Sequence, residues 1–92
     1  MVSIPTLHLN GSSGDTLLDN AHDAVRDLDV LIDGLRMHPP HARDFYVQGE
    51  GAYRSARAEH EARIAALTAI LAEYREIKSG IRRQLAARMR AA

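Results

Sequence analysis

The sequence predicts an all-α protein: a long helical hairpin with an extended N-terminal arm, assembled as a homo-oligomeric bundle. Three observations predict it. Leu17, Ala21, Ala24, Leu28, Leu31 and Leu35 recur at spacings of 4, 3, 4, 3 and 4. Tyr53, Ala56, His60, Ile64, Leu67, Leu71, Tyr74, Ile77 and Ile81 recur almost as regularly. Side chains three and four apart stack on one helix face, so each run marks a helix with a single apolar stripe. Between the runs stands Pro39-Pro40. Each proline lacks an N–H and disfavours helix in the residue before it, which forbids one continuous helix.

The 92 residues make a single domain near the lower size limit for a self-sufficient core. The apolar content is 46%, but much of it is alanine, with no Trp and one Phe. Burial at about 25 cal/mol per Å² has to offset about 1–2 kcal/mol of backbone entropy per residue, and a thin alanine-rich hairpin does this poorly. Pairing of hairpins is the expected remedy.

Residues 1–12 read as an arm. Pro5 keeps Ile4 extended, Leu7 and Leu9 alternate with Thr6, His8 and Asn10, and Asn10-Gly11 is a turn pair. Ile4, Leu7 and Leu9 should seat the arm on the hairpin or on a neighbouring subunit. Ser12-Ser13-Gly14-Asp15 has the spacing of a capping box and opens a first helix over residues 13–37. The connector, 38–51, is longer than the ~2–8 residues that usually join bundle helices. It holds the one Phe, a Tyr, two His and an Arg-Asp pair, so it should pack down. A second helix spans 52–79, with Ser79-Gly80 as its cap and 80–92 as a basic tail. The alternative is that Gly80 is tolerated and the helix continues to Arg90.

Charge and composition narrow the function. Twelve basic and twelve acidic residues cancel, which argues against a dedicated duplex-DNA binder. The first helix nevertheless sums to −4, and 82–92 carries four Arg without an acid, a pattern that favours antiparallel or head-to-tail contacts between subunits; solvated faces with a frayed end are the alternative. The absence of cysteine removes disulfides and thiol nucleophiles. No stretch reaches the ~18–20 apolar residues of a membrane span, so a cytoplasmic location is the expectation.

Among possible sites, Arg43, Phe45, Tyr46, Tyr53, Arg54 and Arg57 combine rings that stack on bases with guanidinium groups that grip phosphate. The plainer alternative is that Phe45 and Tyr46 plug the open end of the hairpin while Arg43 pairs with a carboxylate. Gly11-Ser12-Ser13-Gly14 lacks the P-loop pattern and its lysine, and Asp15 would repel phosphate. His38 and His41 flank prolines, His60 sits on the apolar stripe, and no Glu-x-x-His element occurs, so no metal site is expected. The acidic pairs Asp19/Asp23 and Asp29/Asp33 point away from the leucine stripe and read as solvated. No catalytic group and no cofactor are expected.

Ile4-Pro5-Thr6-Leu7-His8-Leu9-Asn10-Gly11, with Ala42-Arg43-Asp44-Phe45-Tyr46-Val47-Gln48-Gly49 and Ala52-Tyr53, resembles a group of small phage and prophage proteins without a settled function. Pro39-Pro40-His41-Ala42-Arg43-Asp44 and the order of arm, helix, connector and long helix are similar to the phage sponge family that sequesters cyclic nucleotides of CBASS defence. The connector here is one residue longer, and the downstream tryptophan-containing pattern is missing. The resemblance implies a non-enzymatic phage counter-defence protein. It would sequester a nucleotide-derived signal, of the cyclic oligonucleotide or cyclic ADP-ribose type, between subunits. The alternative is a structural or adaptor protein that binds a partner protein through its apolar stripe.

Overall fold

The computed structural model describes residues 2–91; Met1 and Ala92, the ends of the expected arm and tail, lie outside them. Two helices make the hairpin: α1, Gly14–Met37, and α2, Ala52–Ala91. No strand occurs among the described residues. The forty residues of α2 span about 60 Å at 1.5 Å per residue, close to the long dimension of 66 × 22 × 21 Å. No helix is long and apolar enough to cross a membrane among the described residues.

α1 starts one residue later than expected, with Ser13 as its cap. The Ser13 hydroxyl accepts the Thr16 amide at 3.1 Å and donates to the Thr16 hydroxyl at 2.9 Å, so the Ser12–Asp15 capping box does not form. Asp15 still sits in the first turn, near the positive end of the helix dipole.

The apolar stripe of α1 also differs from its expected course. Ile32 is 3% exposed and Leu31 is 48% exposed, the reverse of what the leucine spacing implies. A helix turns every 3.6 residues, so a strict heptad drifts off the contact line by about 20° per repeat. From Ala21 through Leu28 the line reaches Ile32. The stripe of α2 follows the expected course at Leu71 and Ile81, both buried, but leaves Tyr74 38% exposed.

The helices are antiparallel, and polar groups close one of their two edges. Arg75 Nη2 lies 3.4 Å from both oxygens of the Asp29 carboxylate, and the Lys78 ammonium donates to His22 Nδ1 at 2.9 Å. At the far end, Leu7, Ala21 and Ile81 form a core with Leu17, Leu18, Ile77 and Leu85 around it.

The expected basic tail is helix, because α2 runs through Gly80 to Ala91. Gly80 does not cap it. The glycine is buried, and a Cβ there would stand 2.7 Å from Ile4, so the missing side chain is the notch in which the arm sits. Gly14 makes the matching notch for Leu7 and Leu85. Gln84 completes the fit: its amide donates to the Pro5 carbonyl at 2.8 Å, and its oxygen accepts the Leu7 N–H at 2.9 Å. The arm therefore lies on its own hairpin through Ile4 and Leu7. Leu9 is 97% exposed, because a turn closed by the Gly11 amide on the His8 carbonyl carries it outward.

Gln84→Ala removes two hydrogen bonds at a cost of about 1–3 kcal/mol. Amide exchange at Leu7 should accelerate while the circular dichroism of the helices stays unchanged. Ile32→Ala should cost about 2–5 kcal/mol, as read by chemical denaturation.

Candidate functional site

Beyond the last turn of α1, the connector folds back over the start of α2. His38 closes α1 by donating its amide to the Leu35 carbonyl. Pro39-Pro40 then turns the chain, and two short 3-10 turns follow, Ala42–Asp44 and Tyr46–Gln48. Gly49 and Gly51, with φ of 105° and 88°, occupy the left-handed region that a side chain would disfavour and lead the chain into α2.

This return encloses a cleft of about 750 Å³. Its walls are His38, Pro40, Asp44, Phe45 and Gln48 from the connector side, and Ala52, Ser55, Ala56, Glu59, His60 and Arg63 from α2. The α2 residues recur at three- and four-residue steps and so share one face.

Of the six residues singled out from the sequence, only Phe45 lines this cleft. Tyr53 and Arg57, four apart, share a line of α2 beside the cleft, and Arg57 lies 3.3 Å from Glu61. Arg54 is exposed on α2. Arg43 and Tyr46 are exposed on the connector, with Tyr46 73% exposed, whereas Phe45 is half-buried. One chain thus spreads the proposed ring-and-guanidinium group over several surfaces.

The cleft itself is suited to a different chemistry. Its guanidinium, Arg63, lies 3.5 Å from Glu59, and Asp44 adds a second carboxylate. An oxyanion would meet more negative than positive charge there. His60 Nε2 is buried without a hydrogen-bond partner among the protein atoms. No group of three or more His, Asp or Glu side chains is placed to hold a metal ion among the described residues.

A second concavity lies along the hairpin edge opposite the Asp29–Arg75 and His22–Lys78 contacts. This groove of about 330 Å³ is lined by Pro5, Leu17, Asn20, Ala21, Ala24, Tyr74, Ile77 and Ile81. Leu31, seven residues after Ala24, and Ile70, four before Tyr74, continue its two walls by helical spacing. Both are large apolar side chains left 48% and 40% exposed. The leucine spacing had suggested this surface, since Leu17, Ala24 and Leu31 belong to the expected stripe.

No family model matches the chain, and no curated protein or solved structure matches it at a significant level.

Arg57→Ala should move the melting temperature little, because an exposed ion pair contributes about 0–1 kcal/mol. His60→Leu should keep or raise it, because burying a polar atom without a partner costs about 1–3 kcal/mol.

Proposed function

We propose that this protein acts without catalysis, as a helical assembly module whose hairpins pair through the apolar groove along their open edge. The single observation that carries the reading is surface area. The chain exposes 6909 Å², whereas a compact monomer of 10.2 kDa exposes about 5,300 Å². The excess of about 1,600 Å² exceeds the ~800 Å² per partner of a standard interface. Leu31, Ile70 and Tyr74 stand on the unpaired edge. Burying them against a second copy supplies the missing half of the core.

Sedimentation at micromolar concentration should give a dimer or a larger even-numbered species. Leu31→Asp and Ile70→Asp should each shift it to monomer, because burying an unpaired charge costs several kcal/mol, while helical content persists. A monomeric wild type, or variants that still assemble, would overturn the reading.

A second reading adds a ligand to the same assembly. Tyr46 and Val47, 73% and 76% exposed, present a ring and an apolar side chain beside exposed Arg43 on the connector. Such a surface supports stacking of a base and gripping of phosphate between copies, as in sequestration of a nucleotide-derived signal by a phage counter-defence protein. A cyclic nucleotide at 100 times its dissociation constant should add about 2.7 kcal/mol, a rise of about 10 °C or more in melting temperature. Tyr46→Ala should weaken that binding roughly tenfold to a hundredfold. If no cyclic nucleotide shifts the melt, this second reading falls and the assembly reading stands.

A further inference from the structure

The charge on the two helices says how a second copy sits in the groove. α1 carries six carboxylates against two guanidinium groups, a net of −4. α2 carries nine basic side chains against four acidic ones, a net of +5. Within one hairpin these opposite charges already meet at Asp29 and Arg75, on the edge away from the groove.

Two hairpins can close groove upon groove about a two-fold axis in two ways. With the axis along the rod, each α1 lies antiparallel against α2 of the other copy, and acidic and basic helices alternate around a four-helix ring. With the axis across the rod, α1 faces α1 and α2 faces α2. Both arrangements close the same apolar groove, so its burial does not choose between them. Charge does. Neighbouring helix axes stand about 8–10 Å apart, close to the screening length of about 8 Å at physiological salt, so adjacent helices feel each other's charge. The crosswise arrangement sets the acidic α1 against its own copy and lays α2, whose excess positive charge is carried by Arg82, Arg83, Arg88 and Arg90, against its own copy, and like charges held together oppose association.

We infer that the occupant of the groove is a second copy of this chain, packed with the two-fold axis along the rod, so that α1 of each copy covers α2 of the other. This rests on the assembly reading above and deepens it. Both connectors then stand at the same end, with two clefts side by side and Arg43 and Tyr46 of both copies on one surface. The arms and the Arg-rich ends of α2 gather at the opposite end.

Because the chain has no cysteine, single labels can be placed cleanly. The test is pulsed dipolar spectroscopy on spin-labelled Val47→Cys, Ala72→Cys and Ala87→Cys, at the connector end, the middle of α2 and the far end, each exposed in the hairpin. Labels on two adjoining hairpin layers should lie within about 40 Å, given interaxial spacings of about 10 Å and flexible label tethers. The inference expects short distances between copies at all three positions. A short distance at Ala72 with the Val47 pair approaching the 66 Å rod length and the Ala87 pair beyond about 40 Å, since fifteen residues of helix on each side of the axis span about 45 Å, would overturn it while leaving self-assembly standing. Absence of any distance between copies, together with a monomeric mass, would overturn both.

Discussion

A helix of forty residues cannot be covered by one of twenty-four, and the remaining architecture follows from that mismatch. α1 lies along the middle and C-terminal part of α2. The first turns of α2 extend past the end of α1, and the connector folds back to meet them around Phe45. The last turns receive the arm, which enters two glycine notches and is held by the Gln84 amide. Cover is thereby supplied lengthwise, but only on one flank. The opposite edge, from Leu17 to Leu31 and from Ile70 to Ile81, remains an apolar trough.

Much of the scaffold can be read in the sequence. Pro39-Pro40 marks the reversal because its chemistry is local, and the 3- and 4-residue spacing marks the helices because helix period is local too. What resists reading is the angular position of each stripe. Leu31 and Ile32 are adjacent and both apolar, and only the pitch of α1 relative to α2 decides which is buried. Gly80 is similar: a glycine after a serine has the local signature of a helix end, and it takes Ile4, seventy-six positions away, to make it a notch. Gln84 carries no signal at all, since its role is to bond a backbone that arrives from the other end of the chain.

The candidate site shows the same division between local and distant information. Rings and arginines near the connector are visible as a cluster in sequence, yet helical geometry distributes Arg54, Arg57 and Tyr53 to lines of α2 beside the cleft, while Arg43 and Tyr46 face outward. The cleft is built in part from polar residues outside the apolar stripe, such as Gln48, Ser55 and Glu59, whose types carry no signal of a site. A ring-and-guanidinium pocket is therefore a property that pairing of chains would have to create. On the proposed reading assembly comes first in the physical order, and ligand capture would depend on it.

The most direct measurement of that dependence is the melting temperature as a function of protein concentration. If folding draws on burial between copies, mass action stabilises the folded state as concentration rises. A hundredfold increase in concentration should then raise the melting temperature by several degrees, with the steepest response at low salt, where opposite charges on facing helices are least screened. A melting temperature that stays constant across that range, for a protein that sediments as a monomer, would contradict the account.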